Sequence, residues 1–300
     1  MPLPAIETTF GNLRPNPLQW NPAIYIRHGI CSSNTPFVLL EQHLASTFPN
    51  ATIDNTSYNW HDSVLVNGAR LAHHILQGPQ NRPLVLIGHS MGGLLCRVAN
   101  VIFQDPMKFD FLASSLAPQL TYKQIDSAEI ATYRFSYATM PKPTVLVTLA
   151  TPNSGAMLHG QISGIPALLK LALNLFPPTN LESVADLTTD RLFRFLQNFS
   201  STTPVLSISG SKGNRFARGS GSITSWLGKK GLRMELPNDL IVEDRSVDLH
   251  YSILPNETIH IGNAKYLHAR CYLDCTDVGH SDIYNDPNAR ELIVDCLKRC

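Results

Sequence analysis

Residues 83–103, PLVLIGHSMGGLLCRVANVIF, constrain this chain more than any other stretch. An unbroken apolar run, PLVLI, meets a Gly-x-Ser-x-Gly string and leaves it as a helical pattern, with Leu94, Val98 and Ile102 in register. A run without polar alternation reads as a strand covered on both faces. The glycines at 88 and 92 stand where a strand-to-helix turn is too tight for side chains. Such a turn lifts Ser90 off the carboxyl edge of a sheet and sets the Met91 N–H at a helix N-terminus, where it can meet a developing oxyanion. The string alone is weak, and the strand before it and helix after it give it weight. The plainer alternative is a capping serine in a glycine-rich turn.

The rest of the chain predicts the sheet that such a turn needs. Strands are expected at 23–30 (AIYIRHGI), more weakly at 51–60, and at 83–90, 143–152 and 203–211. Helices are expected over 62–77, stopped by Gly78-Pro79, over 91–103, and over 288–299 with Asp286 as N-cap and Pro287 as first residue. Strands alternating with helices predict an α/β fold, a mostly parallel central sheet flanked by helices. No internal repeat or low-complexity tract interrupts it. At 300 residues and 43% hydrophobic, the chain suits a single domain spanning 1–300.

A serine hydroxyl needs a base, and the base needs an acid to hold it. In a chain with an elbow, that acid and histidine follow the serine, on loops after later strands. His280, in DCTDVGHSDIYND, lies between an expected last strand and the terminal helix and is the predicted base. His159 comes before the acid candidates, and His250, His260 and His268 read as strand or surface residues. Among the acids of LPNDLIVEDRSVDL, Asp239 starts a turn before an apolar pair and is favoured over Asp244. The second oxyanion donor is expected in the loop after the first strand, at the N–H of Ile30, with His28 bonding loop backbone. His89 is expected to be structural, its side chain directed away from the Ser90 hydroxyl.

RHGI, GHSMGG, LATPNSG, VADLTTDRLFRFL, NDLIV and VGHSDI occur here in the order found in α/β-hydrolase lipases. The chain resembles the group that joins bacterial triacylglycerol lipases to GPI-inositol deacylase-like esterases. The resemblance covers roughly 22–210 and 237–299, with 104–142 and 211–236 outside it. It implies an α/β-hydrolase fold with a helical cap, a Ser90–Asp239–His280 triad, and an oxyanion hole from Ile30 and Met91. It implies a carboxylic ester substrate; the histidines lack H-x-x-x-H or similar ligand spacing, so no cofactor or metal is expected. The family's Thr-Pro-His-x-Gly reads Thr151-Pro152-Asn153-Ser154-Gly155 here, so no role passes to Asn153, and Leu240 stands where the family has glycine after the acid.

Residues 153–202 are the expected cap or lid, and within them 162–176 (ISGIPALLKLALNLF) are nearly all apolar. They read as a buried cap helix or as a lid that meets acyl chains or a membrane surface. Both readings point to a lipid or other hydrophobic ester. The glycine-rich, basic stretch 211–236 is an expected mobile loop. A net charge of +1 gives no footprint for nucleic acid. No leader is read at the start, and no stretch reaches the apolar length of a membrane span, so the expected location is cytoplasmic or reached by leaderless export. The six cysteines, at 31, 96, 271, 275, 296 and 300, read as free thiols or as one or two disulfides tying the last helix to the segment before it. An acyltransferase using the same acyl-enzyme, and a non-catalytic lipid-binding module on this fold, are the rival expectations.

Overall fold

The computed structural model describes residues 10–13, 17–29, 32–79, 81–107, 140–153, 196, 202–210, 258–261, 264–267, 270–275, 278–280 and 282–300. Six strands form one sheet: β1 (Ala23–Arg27), β2 (Thr52–Asp54), β3 (Leu84–His89), β4 (Pro143–Leu149), β5 (Val205–Gly210) and β8 (Arg270–Cys275). Their order is β2-β1-β3-β4-β5-β8 and every pairing is parallel. β6 (Thr258–Ile261) and β7 (Ala264–Leu267) form a separate antiparallel pair that the sequence reading did not anticipate.

Side chains leave each strand on alternate faces, so a fully buried strand must be apolar on both. Ala23, Tyr25, Leu84, Leu86 and Leu146 join a core with α2 (Val64–Gln77) and α3 (Met91–Gln104). Ile24, Ile26, Val85, Ile87, Val145 and Val147 join a second core with α1 (Val38–Thr47) and α4 (Pro287–Arg299). The result is a three-layer α/β sandwich. α4 begins as its sequence predicts: the Asp286 carboxylate accepts from the Ala289 N–H at 2.9 Å, with Pro287 at the first position. Such a cap contributes about 1 kcal/mol.

The strand expected over 51–60 shrinks to Thr52–Asp54. Beyond it the polar run Asn55–Asn59 turns on side-chain bonds: Asn55 Nδ2 donates to Asn34 O at 2.9 Å, and the Thr56 N–H donates to Asp54 Oδ1 at 3.0 Å. Asp54 also receives the buried Arg27 guanidinium at 3.0 Å, tying the ends of β1 and β2. Burial opposes ionisation of Asp54, yet bonds from His74, the Thr56 N–H and Arg27 outweigh it and hold its pKa at about 2.

The chain runs from β1 outward to β2, then crosses to β3 on the other side of β1. The strand order therefore reverses between β1 and β3, and open α/β sheets bind ligands beyond the carboxyl ends of the strands at such a point. Arg27 pairs with Gly88, and Gly88 with Thr148, so the residues that follow β1, β3 and β4 emerge along one edge. Among the described residues no helix is long and apolar enough to cross a membrane. Cys96 and Cys300 are buried free thiols, and Cys296 is buried with its Sγ 4.0 Å from that of Cys300. The apolar stretch 162–176, most of the expected cap 153–202 and the loop 211–236 lie outside the described residues.

Candidate active site

Ser90 is the residue between β3 and α3, with φ 53° and ψ −126°. A side chain in this left-handed region costs about 1–3 kcal/mol, held in place by its surroundings. Here the Ser90 N–H donates to Leu149 O at 2.9 Å, and the Gly93 N–H donates back to Ser90 O at 3.1 Å. A methyl group on Gly92 would run into the backbone carbonyl oxygens of Arg27 and His28. Those oxygens belong to the end of β1, so glycine at 92 lets the elbow lie directly against the neighbouring loop.

That loop reaches the serine itself. A methyl on Gly29 would come within 2.8 Å of Ser90 Cβ and 3.3 Å of its Oγ. His28, one residue earlier, is buried and stacked on Tyr58 with centroids 4.3 Å apart. Its Nδ1–H donates to Gly29 O at 2.8 Å, and its Nε2 accepts from the Tyr58 N–H at 3.4 Å. The Tyr58 hydroxyl donates to His28 O at 2.7 Å. Burial lowers the pKa of His28, which matches this neutral, two-sided bonding. His28 thus shapes the backbone leading to position 30, as the sequence implied.

His280 emerges after β8 in a turn closed by the Asp282 N–H on Gly279 O at 3.0 Å. It is as buried as Ser90, each 6% exposed. The loop is attached to the elbow through His89, whose Nε2 lies 2.8 Å from His280 O and whose ring centre lies 4.8 Å from the His280 ring. His280, 190 positions beyond Ser90, therefore stands beside the strand that leads into Ser90. Met91 opens α3, fully buried, in the first turn, where backbone N–H groups lack helical acceptors. The structure thus brings Ser90, Met91, Gly29 and His280 to one edge of the sheet. Ile30, Asp239 and Asp244 lie outside the described residues.

Sequence reasoning missed what holds the loop after β4. Arg97, buried on α3, donates from Nη1 to Asn153 O at 2.9 Å and from Nη2 to Leu196 O at 2.7 Å. Further along the helix, Asn100 Oδ1 accepts from Thr203 Oγ1 at 2.7 Å, and Gln104 Nε2 donates to the same Thr203 hydroxyl at 2.6 Å. The signal was available: Arg97, Asn100 and Gln104 recur at helical spacing in an otherwise apolar helix.

No protein-family model matches the chain, and no curated protein matches it. Solved structures do resemble it. The mature lipase BlEst2 of Bacillus licheniformis superposes with a TM-score of 0.58 at 19% identity, over 96% of each chain. Phospholipase PlaB of Legionella pneumophila gives 0.53 at 13% identity, over 92% of this chain and 60% of that one. The Staphylococcus hyicus lipase gives 0.50 at 13% identity, over 93% of each. At these identities the likeness speaks for architecture: the chain has the α/β-hydrolase fold found in lipases and esterases.

Proposed function

We propose that this chain is a serine hydrolase that cleaves carboxylic esters of lipids. One observation carries the reading: a serine, not a glycine, occupies a strained left-handed position where the strand order reverses, with a backbone loop against its hydroxyl and a histidine loop bonded to its strand. Strain of that kind serves to hold a hydroxyl out for reaction. In this reading His280 takes the Ser90 proton as the hydroxyl attacks the ester carbonyl. Asp239 orients the imidazole, and the N–H groups of Ile30 and Met91 hold the oxyanion. The alcohol leaves with the proton from His280, and water then hydrolyses the acyl-enzyme through the same histidine. Three fold neighbours are named as lipases or a phospholipase, and the sequence of 162–176 is nearly all apolar, a composition in keeping with acyl-chain substrates.

The test compares wild type with Ser90→Ala on short soluble esters, long-chain triglyceride emulsions and phospholipid vesicles. Removing a nucleophile of this kind costs roughly 10⁴- to 10⁶-fold in turnover. The expected outcome is hydrolysis of long-chain lipid esters by wild type and its loss in Ser90→Ala, with an unchanged melting temperature. Ser90→Ala retaining a tenth of the wild-type rate would reject the nucleophile. Activity confined to acetyl and butyryl esters would reject the lipid substrate and leave an esterase.

A further inference from the structure

His89 ends β3 immediately before the serine, inside an aromatic box. Its ring centre lies 6.2 Å from Phe37 and 4.9 Å from Tyr284, and those two rings lie 4.8 Å apart. The His280 ring forms another wall at 4.8 Å. A phenylalanine would fill such a box as well as an imidazole. Burial, reinforced by the His280 ring, holds the His89 pKa well below the ordinary histidine range, so the ring is neutral at pH 7. A carbonyl oxygen can only accept, so the single ring proton sits on Nε2 and points at His280 O, 2.8 Å away. Nδ1 is then a bare acceptor, buried and without a hydrogen-bond partner among the described residues. An orphaned buried acceptor costs about 1–3 kcal/mol. The side chain bears that cost while its other nitrogen makes one bond, to the backbone of residue 280.

We propose that His89 is a positioning residue that joins nucleophile and general base: its Nε2–H fixes the His280 backbone against the last residue of the strand that presents Ser90. The inference rests on the triad reading above. The two reacting side chains come from loops 190 positions apart, and the His89 bond links their backbones directly. Loosening the link lets the His280 loop shift, and a displacement of about 1 Å costs roughly 100-fold in an attack that depends on alignment. His89 touches no substrate in this account and acts only through His280.

Three variants test this. His89→Phe fills the box and has no donor, His89→Leu does the same with a smaller side chain, and His89→Gln carries an N–H that reaches the position of Nε2. Each is assayed for kcat and KM on p-nitrophenyl butyrate, for its rate of labelling by a fluorophosphonate, and for melting temperature. The expected result is a fall of about 10- to 100-fold in kcat and labelling rate for Phe and Leu, with KM within about twofold, and recovery to within about fivefold of wild type in Gln. Should the Phe variant not fold, Leu against Gln gives the same contrast. Wild-type kcat in Phe or Leu, or equal impairment of Gln and Leu at equal melting temperature, overturns the proposal. Labelling of wild type at Ser90 with no effect of the His89 variants removes the brace and leaves the triad. Failure of wild type to label at Ser90 removes both.

Discussion

Two neighbouring strands of this sheet end in the same unusual way. β3 is followed by Ser90 with φ 53°, and β4 by Ala150 with φ 47°. Each residue is held there by the next strand: the Ser90 N–H donates to Leu149 O at 2.9 Å, and the Ala150 N–H donates to Ile208 O at 2.8 Å. Both are non-glycine residues in a region that costs L side chains about 1–3 kcal/mol. Only one presents a reactive group. Beyond Ala150 the chain delivers Thr151 onto the elbow, where its Oγ1 donates to Gly88 O at 3.4 Å. A methyl on Gly93 would land on that same threonine side chain. The bend after β4 buttresses the bend after β3. Strain alone therefore does not mark a catalytic residue; the proposal for Ser90 rests on strain that displays a hydroxyl beside a histidine-bearing loop.

The sharpest way to break this comparison is to relax each bend with glycine. Ser90→Gly and Ala150→Gly should each gain about 1 kcal/mol, the relieved strain being partly offset by the greater freedom of glycine in the unfolded chain. Their activities should diverge: Ser90→Gly falls by roughly 10⁴-fold or more, and Ala150→Gly stays within about threefold of wild type. Equal losses in ester hydrolysis would make the β4 bend part of the catalytic apparatus.

A smaller effect is expected at the anchor of the β4 bend. Arg97→Met removes the donors to Asn153 O and Leu196 O. Leaving two interior carbonyls without those bonds should cost about 3 kcal/mol in urea denaturation. Turnover of the folded protein should change by less than about threefold, since Arg97 holds the buttress and not the hydroxyl.

The two ends also differ in how they meet acid. The elbow has His89 behind it and His28 on the loop beside it, both buried with lowered pKa, whereas Ala150–Asn153 contain no titratable side chain. A buried histidine with a lowered pKa takes up its proton more readily unfolded than folded. Its contribution to stability is complete above the unfolded pKa of about 6.5 and is lost as pH falls below it. Each such histidine steepens the loss by at most about 1.4 kcal/mol per pH unit. Denaturation midpoints measured from pH 7.5 to 5.5 should therefore fall, with a shallower slope in His89→Gln. A flat profile would show that these rings are not held neutral.

Much of the architecture was legible because buried parallel strands must be apolar on both faces, and PLVLIGHS could be little else. The elbow was legible for a related reason, since glycine at 88 and 92 and serine at 90 leave few backbones for that turn. The weak strand at 51–60 was overdrawn: it stands at the sheet edge, and past Asp54 the Asn55 and Ser57 side chains bond to the backbone of Asn34 and the Thr56 N–H to the Asp54 carboxylate, in place of a neighbouring strand. The β6–β7 pair went unread, although TIHI and AKYL flank a Gly-Asn dipeptide typical of a hairpin. At the site, Ser90, Met91 and the placement of His280 could be inferred from local pattern. The His89 bond to His280 O could not, because it joins residues 191 apart and uses a backbone atom. The His28–Tyr58 stack links residues 30 apart and was hidden in the same way.

Reaction with a fluorophosphonate followed by intact-protein mass spectrometry and peptide mapping puts the central claim to its most direct test. The account predicts one adduct, on Ser90, formed in native protein and absent after unfolding or in Ser90→Ala. Native protein that stays unmodified, or that carries its adduct on another residue, would contradict it.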